Sequence, residues 1–207
     1  MSAQWPVTLT EGLVTLRPIR RRDRRSWEAV RRRNLDWLRP WEPTQPIPTD
    51  APPPSFTAMV AGMRSEARAG RMIPWVLTYE GRLVGQLTMG GITLGSLRGA
   101  HIGYWLDKQY AGHGLMPLGV AMAVDHAFGP MQLHRMEINM RVENHPSRRV
   151  VEKLGFRFEG VRPRFLHIDG QWRDHLVYAM HTEDAATIAP QGFRRLIRDT
   201  PSAFHDE

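Results

Sequence analysis

Residues 106–122 read LDKQYAGHGLMPLGVAM, which places Gly112 and Gly114 between a run that ends like a strand and a run that begins like a helix. A helix start carries several N–H groups with no intrahelical partner and the positive end of the helix dipole. Glycines at that junction let a phosphate reach those groups with no Cβ in its way. A tight strand-to-helix turn uses the same residues, so the pair alone leaves both readings open. The nucleotide-binding motifs with this geometry do not fit: Gly114 is followed by Leu115 where a Walker loop has Lys, and Pro117 stands where a dinucleotide fingerprint has its third glycine.

Working outward, AHIGYWLD before the loop reads as a strand, and Leu115–Phe128 reads as a largely buried helix, polar mainly at Asp125 and His126. LHRMEINMRV (133–142) alternates, with Met136, Ile138, Met140 and Val142 on one side and Arg135, Glu137, Asn139 and Arg141 on the other, which is the period of a strand. Pro146 opens a helix that runs to Leu154 and stops at Gly155. FRFEGVRPRFLHI and WRDHLVYAM form a hairpin turning at Asp169 and Gly170. Upstream, MIPWVLTYEGRLVGQLTMGGITL reads as two strands turning at Glu80–Arg82, preceded by a short helix over Phe56–Ala69. LVTLRPI (13–19) is an early strand, and Asp23 caps a helix to about Trp37. A last helix from about 182 is interrupted at Pro190. Strands, then strand, helix, strand, helix and a hairpin, predict a mixed sheet with helices packed on it.

The chain has 207 residues, 42% hydrophobic, enough for one well-packed core and short for two. A single domain over 1–207 is expected, with a Pro-rich loop at 40–54 and a helix and tail at 182–207. That loop has seven prolines in fifteen residues, which excludes regular structure; Trp41 and Ile47 within it suggest that it packs over a site. No apolar run reaches the roughly 18 residues of a membrane span, and the first twenty residues lack a signal peptide's apolar stretch, so a cytoplasmic location and no membrane partner are expected. The absence of cysteine excludes disulfides, thiolate metal sites and a cysteine nucleophile. The nine histidines show no tight ligand spacing, so no metal is expected.

The net charge is +7, and all but two of the 28 basic residues are arginine. Ten arginines fall within 17–39. Such a segment is either a solvated helix face or a docking patch for a polyanionic partner, meeting phosphates or an acidic protein surface. Few aromatics interleave with it, which weakens a single-strand stacking platform, and no specific DNA binding is expected.

Gln109, Gly112 and Gly114 also match the acyl-CoA loop of the GNAT N-acetyltransferases, which this chain resembles over about Leu9 to Met180. GYWLD is similar to that family's fourth strand. ENHPSRRVVEKLGFRFEG (143–160) is similar to its later helix, with Asn144, Ser147, Val150, Leu154, Gly155 and Phe156 in place. TLRPIRRRD and LRPWEP (38–43) resemble the RimJ and RimL branch, the ribosomal-protein alanine N-acetyltransferases. The resemblance implies an α/β (α+β) GNAT fold, a central mixed, twisted β-sheet of about seven strands flanked by helices. It also implies acetyl-CoA as acyl donor, a protein N-terminus as partner and transfer by direct attack of a neutral amine.

Carried over residue by residue, the backbone of Trp105 and Leu106 would pair with the pantetheine arm at an exposed strand edge. Gln109, Ala111, Gly112, His113, Gly114 and Leu115 would hold the pyrophosphate. Asn144 would bond the pantetheine, and Ser147 would lie near the thioester sulfur. Asn144 is also a plain N-cap, and Ser147 can serve the first helical turn alone. Trp41 and Arg164 would line the acceptor groove. The catalytic base departs from the family pattern. Related enzymes carry glutamate where this chain has Asn139 or, on the later strand, about Leu166. Glu137 is the best remaining carboxylate, followed by His167 and His101. An ion pair of Glu137 with Arg135 or Arg141 competes with that role. A small-molecule amine acetyltransferase and a non-catalytic acyl-CoA-binding or ribosome-associated factor are the alternative functions.

Overall fold

The computed structural model describes residues 5–47 and 52–199. Of the Pro-rich stretch at 40–54, residues 48–51 lie outside the described residues, as do 200–207 of the tail. Eight strands form one sheet: β1 (Leu9–Glu11), β2 (Val14–Pro18), β3 (Ile73–Tyr79), β4 (Arg82–Thr93), β5 (Gly99–Leu106), β6 (Arg135–Arg141), β7 (Arg157–Ile168) and β8 (Gln171–His181). Their order across the sheet is β1-β2-β3-β4-β5-β6-β8-β7. Every pairing is antiparallel except β5 with β6. The strand added to the expected seven is β1, which doubles back onto β2 through Gly12 at φ 55°. Three residues are too few to show alternation in a sequence.

The helices are α1 (Arg24–Arg33), α2 (Leu35–Leu38), α3 (Phe56–Arg68), α4 (Leu115–Phe128), α5 (His145–Lys153), α6 (Thr182–Ile188) and α7 (Phe193–Asp199). On one face of the sheet Trp27 and Val30 of α1 and Phe56 and Val60 of α3 pack on Val76, Leu83 and Trp105. On the other, α4 buries Leu115, Met116, Val120, Met122 and Val124 against Leu16, Leu77, Leu87 and Met89. Gly119 lets α4 come this close, since a Cβ there would meet Leu77 Cδ1 at 2.9 Å. No helix among the described residues is long and apolar enough to cross a membrane.

The helix expected from Asp23 to Trp37 is broken. Asp23 lies in a short 3-10 turn, where its carboxylate accepts the Arg20 N–H at 2.8 Å and pairs with Arg17 at 2.8 Å, so it does not cap α1. The break itself falls at Asn34, which turns its side chain inward to Val30 and Asp107. A tertiary partner 73 residues away thus ends a helix that local propensity would continue.

Candidate active site

The parallel ladder between β5 and β6 is short. It joins Gly99–His101 to Arg135–Glu137 and then stops, while β6 goes on pairing with β8 as far as Arg141. The two strands therefore diverge, and the second half of β5 has an open edge. Asp107 N–H donates to Val84 O at 2.8 Å, and Leu106 is the partner of Gly85. By the alternation of an antiparallel ladder, Trp105 turns its backbone groups toward β4, while Tyr104 and Leu106 present theirs to the gap. Trp37 Nε1 reaches Leu106 O at 3.2 Å from that side. Of the two residues expected to pair with a pantetheine arm, Leu106 has the required orientation and Trp105 does not. The Trp105 indole lies across Trp27 and under the Arg31 guanidinium, and so anchors α1.

At one end of the gap lies the loop to α4. Gly112 and Gly114 take φ of 86° and 75°, and a Cβ on either would meet nothing within 4 Å. Both therefore border open space, and their left-handed backbone is one that L side chains adopt only at a cost of about 1–2 kcal/mol. Gln109, Gly112 and His113 are exposed, Ala111 is half-buried and Leu115 is buried. The loop is tied down at its start. The Asp107 carboxylate, 1% exposed, accepts from Arg33, from Asn34 Nδ2 at 2.8 Å and from Gln109 N–H at 3.4 Å, while Asn34 Oδ1 accepts Lys108 N–H at 2.9 Å. The exposed amides of an otherwise fixed helix start are a fitting cradle for a diphosphate.

At the other end the divergence opens a cavity of about 330 Å³. Its walls come from Ile102 and Tyr104 of β5, Ile138–Arg141 of β6, Asn144 and Ser147 at the head of α5, Phe165 and Leu166 of β7, and His175 of β8. Trp41 and Pro43 cover it from the Pro-rich loop. The loop is held there by Arg141, which donates to Pro40 O at 2.6 Å with its guanidinium 5.5 Å from the Trp41 ring centre. Ile47 of the same loop is 75% exposed and does not line the cavity.

Several expected residues take other roles. Glu137 is absent from the cavity lining. It accepts from Arg135 at 2.9 Å and pairs with Arg162 at 3.2 Å. Burial alone would raise its pKa, but these two guanidinium groups and Asn139 outweigh burial and hold it below the ordinary carboxylate range. A carboxylate so engaged is a poor base. His167 is also outside the lining: its Nδ1 lies 2.8 Å from Thr44 Oγ1 and its carbonyl accepts Thr44 N–H at 2.8 Å, so it straps the Pro-rich loop to β7. Arg164 sits at φ 47° in the irregular stretch of β7, and its N–H donates to Asp174 at 2.8 Å. It borders the wall without lining it. His101 does line the cavity; burial lowers its pKa against the opposing pull of Glu137.

Asn144 and Ser147 combine both readings open in the sequence. Asn144 Oδ1 caps α5 by accepting Ser147 N–H at 3.1 Å, yet both residues face the cavity. Ser147 Oγ lies 2.8 Å from the Tyr104 hydroxyl. Tyr104, which the sequence did not single out, is displaced upward in pKa by burial, so its phenol stays protonated and able to donate. His175 was likewise missed. It is 2% exposed and its Nδ1 lies 3.0 Å from Arg173 O.

The family described as Acetyltransferase (GNAT) domain matches residues 14–157, more than half of the chain. RimJ of Mycobacterium smegmatis in complex with CoA-disulfide superposes with a TM-score of 0.87 at 40% identity, covering 96% of each chain. The [ribosomal protein uS5]-alanine N-acetyltransferase of Escherichia coli is 27% identical over 180 residues, 86% of this chain and 92% of that protein. YjcK of Bacillus subtilis is 41% identical over 105 residues, 51% of this chain and only 58% of that protein. With a family match over most of its length, the chain belongs to the GNAT acetyltransferase family.

Proposed function

We propose that the protein transfers acetyl from acetyl-CoA to the N-terminal α-amine of a protein, with a ribosomal protein as the acceptor class. The observation that carries this reading is the divergence of β5 from β6, which leaves an open strand edge between a glycine-lined amide cradle and the cavity. Residues 112–115 offer backbone N–H groups to the diphosphate, and Tyr104 and Leu106 offer strand-edge groups to the pantetheine amides. Bound acetyl-CoA supplies a thioester carbonyl. Open-edge N–H groups of β5 are placed to steady negative charge on its oxygen. The Ser147–Tyr104 hydroxyl pair lies where a departing thiolate needs a proton.

The acceptor class follows from charge and from relatives. The lining residues include no carboxylate; their charged or titratable side chains are Arg141, His101, His175 and the Tyr104 phenol. Such a wall does not attract a polyamine or an aminoglycoside. A peptide α-amine, with a pKa near 7.7–8.0 against about 10.4 for lysine, is already partly neutral at physiological pH and needs no strong base. The apolar side chains of Met140, Phe165, Leu166 and Ile168 suit a small first residue. The E. coli relative named for uS5 alanine supports the ribosomal choice.

Ribosome docking through residues 17–39 remains part of this proposal in a narrower form. Arg17, Arg24, Arg31, Arg33 and Arg39 are tied to Asp23, Glu28, Glu42, Asp107 and Asp169. Arg20, Arg21, Arg22, Arg25 and Arg32 are exposed, and their guanidinium groups pair with no carboxylate among the described residues. These five are the ones available to phosphates.

The experiment is mass spectrometry after incubation with acetyl-CoA and alanine-, serine- or threonine-starting peptides, free polyamines, or buffer. Acetyl on the α-amine of the alanine peptide, and none on an N-terminally blocked peptide with a free lysine, is the expected result. Product only on polyamines would move the reading to a small-molecule enzyme. Heat of CoA binding with no product in any arm would leave an accessory factor.

A further inference from the structure

We infer that the attacking amine sits between Asn139 and His175, with Asn139 Oδ1 holding one of its N–H groups and His175 Nε2 taking its proton. The inference rests on the acetyl-transfer reading above and assigns its missing base. Two features that nothing in the local sequence announces point to these atoms. Asn139 Oδ1 is buried without a hydrogen-bond partner, on a residue that lines the cavity. Leaving such an acceptor unsatisfied costs about 1–3 kcal/mol, which an incoming N–H would recover. The amide orientation follows from its neighbour: Asn139 Nδ2 is 3.5 Å from Glu137 Oε2, an ionised carboxylate that can only accept.

His175 has a fixed tautomer for the same kind of reason. Its Nδ1 lies 3.0 Å from the Arg173 carbonyl, which can only accept, so Nδ1 carries the proton and Nε2 the lone pair. Nε2 has no partner among the described residues, and the ring lines the cavity with Phe165 edge-on at 5.5 Å. The two side chains meet because of register. His175 pairs with Arg141 and Val177 with Asn139, so His175 and Asn139 share one face as diagonal neighbours, about 7–8 Å apart at the backbone. Both side chains line the same cavity, which is where an amine can reach the two together.

The protonation state suits a base. Burial lowers the His175 pKa most, the Arg173 carbonyl raises it, Arg141 lowers it, and Asp174 and Glu143 raise it; the net direction is down. Arg162 faces the ring from β7, and His101 is the other imidazole in the cavity. His175 is therefore neutral at pH 7. It needs little intrinsic strength, because the amine becomes strongly acidic once its lone pair has bonded to carbon. The nitrogen lone pair forms the C–N bond, its proton goes to Nε2, and the C–S bond breaks with both electrons on sulfur. The sulfur takes a proton from the Ser147–Tyr104 pair. His175 releases its proton to solvent and the hydroxyl pair regains one, so the products are the amide and the free thiol. His101, with no fixed tautomer and on the far strand, lacks this placement.

The test is steady-state kinetics on an alanine-starting peptide across pH 5–9 with His175→Asn and Asn139→Ala, alongside calorimetry with CoA. His175→Asn keeps an N–H for the Arg173 carbonyl. It is expected to lower kcat about 100-fold and to remove the acid limb with an apparent pKa below about 6.5, leaving the amine's own limb near 7.7–8.0, with CoA affinity unchanged. Asn139→Ala is expected to raise the peptide KM about tenfold with a smaller change in kcat. A kcat within threefold of wild type for His175→Asn, with the lower acid limb retained, overturns the inference. Should that variant fail to fold, the wild-type profile decides: a second acid limb with an apparent pKa below about 6.5 supports the assignment, and a profile whose one acid limb is the amine's own, near 7.7–8.0, overturns it. Wild-type protein that binds CoA and acetylates no peptide removes the underlying reading instead, and this inference with it.

Discussion

Replacing Asp107 with alanine tests whether the donor loop is held by one buried carboxylate. Asp107 follows the last residue of β5 and begins the turn to Gly112, and its side chain is 1% exposed. The change removes the Arg33 ion pair, the Asn34 hydrogen bond and the bond to the Gln109 N–H. Neutral hydrogen bonds contribute about 1 kcal/mol each and one to a charged group about 1.5–3. The Arg33 side chain is 42% exposed and regains water, and Asn34 keeps Val30 O, so little is left buried without a partner. With the solvent-exposed Arg33 pair discounted to about 1 kcal/mol, the Asn34 bond at about 1.5 and the long Gln109 bond at about 0.5, the sum is about 3 kcal/mol, at the low end of what breaking a buried pair costs. For a chain of this size each kcal/mol moves the melting temperature by about 2–4 °C, so a drop of about 6–12 °C is expected by calorimetry or circular dichroism. The pH dependence has a definite sign. Burial alone would raise the Asp107 pKa, but Arg33, Asn34 and the Gln109 N–H outweigh it and hold the carboxyl below its ordinary value. Its contribution is then present above the unfolded pKa and lost as pH falls through the folded one. If Asp107→Ala melted within about 2 °C of wild type at pH 7, the carboxylate would be no anchor and the ordering of the loop would need another cause.

Two further outcomes follow from groups away from the cavity. His126 is buried edge-on to Trp75 with Nε2 unpartnered, and burial, then Arg194, lower its pKa. The unfolded chain therefore binds a proton first, stability falls as pH drops below about 6.5, and His126→Leu should flatten the urea midpoint between pH 7.5 and 5.5 by up to ~1 kcal/mol; an unchanged slope would assign the acid loss to other groups. Reversing Arg21, Arg22, Arg25 and Arg32 to glutamate should abolish co-sedimentation with ribosomes in 150 mM salt, an ionic strength of about one 8 Å Debye length, while turnover of a free peptide stays within about twofold. Unchanged co-sedimentation would show these arginines to be an ordinary solvated face.

How far the fold could be read ahead depended on whether the forces acted locally. β6 announces itself because Met136, Ile138 and Met140 are buried and alternate with Arg135, Glu137, Asn139 and Arg141. The turns at Glu80–Gly81 and Asp169–Gly170 require positive φ at both residues, which Gly supplies freely and Asp tolerates. Asn34 defeats the same reasoning, since a helix continued by propensity is ended there by Asp107 on a distant strand.

The candidate site divides along the same line. Gly112, Gly114, Asn144 and Ser147 lie in contiguous motifs whose spacing is itself the geometry, so a sequence displays them. Tyr104, Asn139 and His175 stand on three strands and become a site only through pairing: the ladder from β5 to β6 ends at His101–Glu137, and the register of β6 with β8 sets His175 diagonal to Asn139. Glu137 has the textual advantage of being the carboxylate nearest the family's base position. Arg135 two residues before it and Arg162 from β7 claim both its oxygens. A carboxylate that neutralises two guanidinium groups holds the polar face of β6 together, and Glu137 is absent from the cavity lining. Its neighbour Asn139 has lost the family's charge and so needs no such compensation, which leaves its oxygen free for substrate. On the inference above, the departure from the family pattern moves the base from β6 to β8, the neighbouring strand of the sheet.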